Sequence, residues 1–369
     1  MNEVATVAYG STKFSDDDIS VEDILLSTTK SLFDQTPNLS QNDIDTVLVS
    51  TNENGQYLGP ILSELSGIKP NISHKIENLC SSGASSIVSA YSYIASGLSD
   101  TVLVVGADRY DSPGRLLEWD DARGEYKNPI FWASLFTKSY KRKFNLSEEE
   151  LAIVSAKNHK NAIDNPNAYS NKAYTIPEIM NSKQITADLR LLDCSKPCTG
   201  GSAILMTSKE LSKKFTDTPV WIKGIGQKTT SAGFTKNNDL TELESTKIAS
   251  IDSFNMAKMS PNDIDVAEIH DAFSICEIME LEDIGFTKKG KGAEYVRTLF
   301  NTEDKKINPR GGLIGSGHPL GATGIAQTIE ITQQLQNNAG KKQISNAKSG
   351  LVHNMSAAAT SSAVIILES

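Results

Sequence analysis

Cysteine is scarce in this chain. Four residues in 369 (Cys80, Cys194, Cys198 and Cys276) are too few for a disulfide framework. Cys194 and Cys198 have C-x3-C spacing, but no second close Cys/His pair completes a tetrahedral zinc site, so both read as core filler and no metal is expected. Basic charge is in deficit as well, with 36 Lys+Arg against 45 Asp+Glu, which excludes a nucleic-acid binder that works by neutralising phosphates. No apolar run approaches the ~20 residues needed to cross a bilayer, and "MNEVATVAYG" has no basic stretch followed by an apolar block. The expectation is a cytoplasmic, reduced, globular chain with neither a membrane span nor a leader. Its length suits one large core or two ordinary ones. The one conspicuous basic stretch, "KSYKRKF" (138–144), reads as a solvated helix face.

What the chain does contain is self-similarity. "LSQNDIDTVLVS" (39–50) and "MSPNDIDVAEIH" (259–270) share Ser-x-Asn-Asp-Ile-Asp, each running into a β-branched-rich segment that reads as a strand. Further on, "CSSGAS" (80–85) aligns with "HPLGAT" (318–323), and "TVLVVGA" (101–107) with "SGLVHNM" (349–355). Three matches in the same order point to two copies of one α/β unit, each reading strand, crossover, strand, helix, strand. After Cys80 the apolar positions Ala84, Ile87, Val88, Tyr91, Ile94, Ala95 and Leu98 have helical spacing, ending near Gly97; Ile325, Ile329, Thr332 and Leu335 repeat it. The fold class is therefore α/β, with two duplicated halves at 1–219 and 220–369 whose helices cover mixed sheets. A stretch that fits neither copy, about 109–198, contains one capping box, Ser147 with Glu150, and reads as a partly helical subdomain over the active face.

The duplication puts Cys80 and His318 at equivalent helix starts, where a pseudo-twofold axis brings them together. A helix N-terminus favours a thiolate, and a neighbouring imidazole can take its proton. Cys80 is then the nucleophile and His318 its base. Taken singly, each has a plainer reading: an inert buried cysteine and a helix cap. His270, in "EIHDAF", and His353, in "LVHNMSAAAT", end strands beside these helices, where α/β proteins place ligands. His270 reads as catalytic, and His353 equally as catalytic or as a core histidine.

Together, "NLCSSGASSI", "EIHDAFSICEIMELEDIGF", "NPRGGLIGSGHPLGATG" and "HNMSAAATSSAVIIL" resemble the thiolase superfamily over nearly the whole chain, the histidine of "HDAF" being similar to the sterol-carrier-protein type and to archaeal acetoacetyl-CoA thiolases. The resemblance implies a five-layered thiolase-like fold. It also implies an acetyl-CoA C-acetyltransferase that joins two acetyl-CoA into acetoacetyl-CoA through an acetyl-Cys80 intermediate. His270 and His318 would form one oxyanion hole, and the backbone N–H groups of Cys80 and Ser356 the other. Coenzyme A thioesters would be substrates, with no tightly bound cofactor, and "GIGQKTTSAGFT" (224–235) with the inserted subdomain the region that holds them. A homodimer or homotetramer follows by resemblance, with hydroxymethylglutaryl-CoA synthase and a small zinc-ribbon/OB-fold protein as candidate partners.

This sequence departs from the family pattern at the second catalytic cysteine. Asn354 stands at its position near the C-terminus, and Ala272 at the position where the sterol-carrier-protein type restores it. Cys276, one helical turn beyond Ala272, and His353 are the candidates for moving the carbon-bound proton. Three other readings stay open. One is a longer-chain 3-ketoacyl-CoA thiolase with "YLGPILSELSG" (57–67) bordering its pocket. The others are a non-catalytic acyl-CoA or lipid binder and a Cys–His hydrolase.

Overall fold

The computed structural model describes residues 2–119, 124–233, 236, 239–357 and 359–369. Among these, nine strands form one sheet: β1 (Val4–Ser11), β2 (Thr46–Ser50), β3 (Ile72–Ile76), β4 (Thr101–Asp108), β5 (Gly200–Ser208), β6 (Val220–Thr229), β7 (Val266–Glu268), β8 (Ser349–Ser356) and β9 (Ser361–Glu368). Twelve helices accompany them: α1 (Val21–Asp34), α2 (Leu58–Ser66), α3 (Ser82–Ser96), α4 (Ile130–Phe144), α5 (Glu148–Ala162), α6 (Ile176–Met180), α7 (Lys209–Phe215), α8 (Glu244–Ala257), α9 (Ser274–Ile284), α10 (Gly292–Thr302), α11 (Gly312–Ser316) and α12 (Leu320–Leu335).

The strand order, β3-β2-β4-β5-β1-β6-β9-β8-β7, is a repeat reflected about its middle. Outward from the join, β1, β5, β4 and β2 pair antiparallel, antiparallel and parallel; β6, β9, β8 and β7 do the same. The halves are tied through β1 and β6 by two register pairs, Ala5 with Trp221 and Thr6 with Val220. The shared Ser-x-Asn-Asp motif forms the same 3-10 turn twice. In each turn the aspartate takes the serine backbone N–H, Ser40 to Asp43 at 2.9 Å and Ser260 to Asp263 at 2.7 Å, just before β2 and β7. β3 has no full counterpart in the second copy, where the equivalent strand shrinks to a single parallel bridge between Ala267 and Ile307.

Five layers result. Helices α1 and α2 cover the outer face of the first half-sheet, α8 and α9 that of the second, and α3 with α12 fill the space between. The middle helices approach closely because of the small residues that open each one. A Cβ on Gly83 would lie 2.9 Å from the Gly321 carbonyl oxygen and 3.0 Å from the Gly324 nitrogen, so no larger residue fits. The subdomain between β4 and β5 contributes α4, α5 and α6, with Ser147 and Glu150 capping α5 as a reciprocal box. No helix among the described residues is long and apolar enough to cross a membrane.

Candidate active site

Cys80 sits on the tight turn between β3 and α3. Leu79 before it has φ +47°, a left-handed conformation costly for a branched side chain. Neighbours hold that turn in place: the Leu79 N–H donates to Glu77 at 2.7 Å, and its carbonyl accepts from the Ser82 hydroxyl at 2.6 Å. His318 lies in the matching place in the second half, between α11 and α12. Its backbone N–H donates to the Lys196 carbonyl at 2.9 Å, which fixes it against the inserted subdomain. His270 follows β7 in a loop anchored by Asp271. That carboxylate accepts from the N–H groups of Leu313 (2.6 Å) and Ile314 (3.2 Å) and from the Asn158 amide (2.7 Å). Gly312, with φ +56°, stands where any Cβ would strike the Asp271 carboxylate, so glycine is required there.

These three elements bring the Cys80 sulfur and one nitrogen each of His270 and His318 within 4.8 Å of one another. The imidazole rings meet edge to face, with centroids 5.1 Å apart. Hydrogen bonds behind them assign opposite tautomers. Thr323 donates its hydroxyl hydrogen to the Pro319 carbonyl (2.8 Å), so its oxygen accepts from His318 Nδ1–H at 2.7 Å. His318 Nε2 is therefore a bare lone pair, buried and without a partner among the described residues, ready to take a proton. For His270 the chain starts at the His353 carbonyl, which accepts from Gln327 Nε2 (3.1 Å). Gln327 Oε1 then accepts from Asn354 Nδ2 (2.9 Å), and the same amide nitrogen donates to His270 Nδ1 (2.8 Å). The proton of His270 is thus on Nε2, making it a hydrogen-bond donor. One sulfur and two imidazoles could in principle hold a metal ion, but a proton on His270 Nε2 leaves that nitrogen no lone pair to give.

All three groups are neutral at rest. Burial, and secondarily the charge of Arg310, lowers His318 to about 3. Burial and the neighbouring His318 hold His270 well below the usual range. Burial, then the carboxylates of Asp108 and Glu77, pushes the Cys80 thiol up to about 12. Desolvation thus outweighs the helix N-terminus that was expected to favour a thiolate. The site holds a thiol against a neutral base, so proton transfer must accompany attack on an electrophile.

The trio lines a cavity of ≈490 Å³ with mostly apolar walls. Leu116, Leu117, Ile130, Trp132 and Phe136 come from the inserted subdomain, and Phe273 and Met355 from the second half. Ser356 and Cys276 line it as well. Cys276 is buried on α9, and burial together with Glu280 raises its thiol well above the ordinary value. His353 does not reach the cavity. Strand alternation turns it to the opposite face of β8 from Asn354, where it meets Thr246 (3.0 Å) and Glu280 (3.4 Å). Residues 57–67 also stay away from the cavity: Leu58 and Leu62 are buried in the core beneath α1. Cys194, expected to be filler, is on the cavity wall, whereas Cys198 is fully buried. The described part of 224–235 runs along β6 to a polar pocket of ≈70 Å³ that includes Thr230, Ser231 and Lys236 and shares Trp132 with the large cavity. Phe234 and Thr235 lie outside the described residues. Sequence reasoning missed Thr323 and Gln327 as orienting groups. The hydroxyl closing the repeated block, Ser85 in one copy and Thr323 in the other, was the available sign.

A reflected pair of α/β halves with a Cys–His–His centre on their axis defines the class of this protein. The chain belongs to the thiolase family. Residues 3–113 match "Thiolase, N-terminal domain" and residues 226–369 match "Thiolase C-terminal domain-like". It is 32% identical over 381 residues to an acetyl-CoA acetyltransferase of Methanothermobacter thermautotrophicus, covering 99% of each chain. Identity is 31% over 361 residues to an acetyl-CoA acetyltransferase of Methanocaldococcus jannaschii, covering 91% of this chain and 90% of that one. The fold is also that of the solved Ltp2-ChsH2(DUF35) aldolase, at TM-score 0.89 and 18% identity, covering 100% of this chain and 98% of that one.

Proposed function

We propose that this protein is an acetyl-CoA C-acetyltransferase. The observation that carries the reading is the meeting of the Cys80 sulfur with one nitrogen each of His270 and His318 within 4.8 Å at the wall of one cavity. In the first half-reaction the Cys80 proton passes to His318 Nε2, the sulfur attacks the thioester carbonyl, and the CoA thiolate leaves with the proton. The backbone N–H groups of Cys80 and Ser356 face the oxyanion that forms. In the second, His270 Nε2–H donates to the thioester oxygen of another acetyl-CoA. Each such donor contributes on the order of 3 kcal/mol where charge develops. Cys276 is the proton carrier for the methyl carbon, being the candidate on the cavity wall. Being a neutral thiol at rest, it acts first as the acid that protonates the departing carbanion in the cleavage direction. Coenzyme A thioesters are the substrates, with no tightly bound cofactor. Free thiols suit a cytoplasmic setting, and a homo-oligomer working with a zinc-ribbon/OB-fold protein and hydroxymethylglutaryl-CoA synthase is the assembly proposed. The solved Ltp2-ChsH2(DUF35) aldolase, which pairs Ltp2 with a DUF35 component, supports a partner of that general kind.

The size and apolar walls of the cavity favour a second reading, a longer-chain 3-ketoacyl-CoA thiolase, because ≈490 Å³ far exceeds the needs of a two-carbon acyl group. The test is to incubate with acetyl-CoA, quench, and map adducts by peptide mass spectrometry. An acetylated Cys80 peptide is expected, together with acetoacetyl-CoA cleavage that needs free CoA and slows markedly in Cys276→Ser. Faster cleavage of longer 3-ketoacyl-CoA would favour the second reading. Absence of any adduct would leave a binding protein, and acid release without CoA a hydrolase.

A further inference from the structure

α12 carries His318 just ahead of its first turn, yet it has no cap of its own: Pro319, at the N-cap, makes no side-chain bond to the helix. The cap comes from the other half of the chain. Asp108, fully buried at the end of β4, accepts from the backbone N–H of Gly321 in that first turn. Beside it the Ser50 hydroxyl donates to the Gly321 carbonyl at 2.7 Å. The same carboxylate also accepts from the Thr51 hydroxyl (3.1 Å), the Asn52 N–H (3.0 Å), the Asn52 amide nitrogen (2.9 Å) and the Ser112 hydroxyl (3.1 Å). Asn52 donates its other amide hydrogen to the Leu79 carbonyl at 3.2 Å. Leu79 is the left-handed residue on which the Cys80 turn depends.

Asp108 thus touches the helix that aims His318 and, one residue removed, the turn that aims Cys80. Extending the match of β4 with β8 by one residue aligns Asp108 with Ser356, so the second copy has no carboxylate at this place. By charge alone Asp108 works against the nucleophile, because a nearby carboxylate disfavours the thiolate. Whatever help it gives to Cys80 must therefore come through geometry.

We propose that Asp108 is a positioning residue: by capping α12 and, through Asn52, holding the Leu79 turn, it sets the separation at which the Cys80 thiol meets His318 Nε2. The proposal rests on the reading of His318 as the base for Cys80. Two effects of opposite sign follow for Asp108→Asn. Loss of the charge eases thiolate formation. Loss of an acceptor, with an amide N–H put among donors, loosens both elements, and a shift of about 1 Å between reacting groups can cost on the order of 10²-fold in rate. Misalignment outweighs charge as long as His318 is present.

The test uses the full chain at pH 8, where Asp108, raised by burial to about 6, is ionised. The readout is alkylation by iodoacetamide on the Cys80 peptide, with the peptide of Cys194, half-buried on the same cavity wall, as control. Asp108→Asn should slow Cys80 about 10- to 100-fold and leave Cys194 within about twofold. In a His318→Ala background there is no base to align, so Asp108→Asn should instead quicken Cys80. Asn52→Ala keeps the α12 cap and cuts the tie to Leu79. It should slow Cys80 by about threefold or more with His318 present, and have no effect without it. Asn52→Ala decides the matter if Asp108→Asn does not fold. Asp108→Asn at or above the unmodified rate with His318 present, or slowing of equal size with and without His318, overturns the positioning role. Should His318→Ala itself leave Cys80 untouched, the base falls and the alignment with it. None of these measurements needs turnover of a CoA thioester, so failure here is separable from failure of the proposed activity.

Discussion

Replacing Thr323 with valine tests the tautomer argument directly. The substitution keeps the shape of a fully buried side chain and removes the only acceptor for His318 Nδ1–H among the described residues. In the neutral state the imidazole can then move its proton to Nε2 and lose its lone pair toward Cys80. In the protonated state, which must form as the thiol is lost, Nδ1–H becomes a buried donor on a charged ring with no partner. A hydrogen bond to a charged group is worth about 1.5–3 kcal/mol, so the variant should alkylate Cys80 about 10- to 150-fold more slowly at pH 7. The assay is the second-order rate with iodoacetamide, read on the Cys80 peptide so that Cys194, Cys198 and Cys276 do not contribute. Thr323→Ser restores the hydroxyl and should recover most of the rate. Loss of the Thr323 bond to the Pro319 carbonyl should cost about 1 kcal/mol of stability, seen as a small drop in Tm. A folded Thr323→Val chain that alkylates within twofold of the unmodified one would refute the reasoning.

Two further outcomes follow from the same geometry. His270→Ala should leave Cys80 alkylation within about twofold, because in the proposed mechanism His270 donates to substrate oxygen and takes no proton from the thiol, yet lower acetoacetyl-CoA cleavage by about 10²- to 10³-fold. Equal losses in both assays would contradict the division of labour between the histidines. His159, buried against Tyr174, is lowered by desolvation from the ordinary 6.5 to about 4. Between those values the unfolded chain binds the proton and the folded chain does not. Stability carried by the neutral ring is therefore present above pH 6.5 and lost as pH falls towards 4, by up to about 3 kcal/mol. Urea unfolding at a series of pH values should show His159→Phe gaining on the unmodified chain by that amount as pH falls. A constant difference between the two would count against the burial argument.

The repeat was legible because its parts are local. A capping aspartate three residues after a serine, a β-branched run, and a helix opening with glycine and alanine are each set by neighbours in the chain, and all recur in the structure. The length of α3 could be read from its apolar spacing and Gly97, whose left-handed conformation ends it. Features that depend on two distant segments were not legible. The route of the inserted subdomain decides that Cys194 reaches the cavity and that residues 57–67 do not. The face on which His353 lies is set by the register of β8 against β9, which pairs it with Val364 and sends its side chain away from Asn354. The Cys80–His270–His318 cluster was readable because symmetry supplied a long-range contact that local pattern could not. Its protonation was not, since each tautomer depends on hydrogen bonds among residues far apart in sequence, Gln327 to Asn354 to His270 being the longest chain.

The join between β1 and β6 has a consequence for how such a centre can arise. Two identical half-chains around a true twofold axis would present the same residue at both helix starts, either two thiols or two imidazoles. Neither pairing supplies a nucleophile together with its proton acceptor. Once the copies are continuous through α7, each position can change without its mate. One becomes Cys80, the other His318, and the axis carries unlike groups. The molecule gives up one of two equivalent sites and gains a single site whose sides perform different tasks.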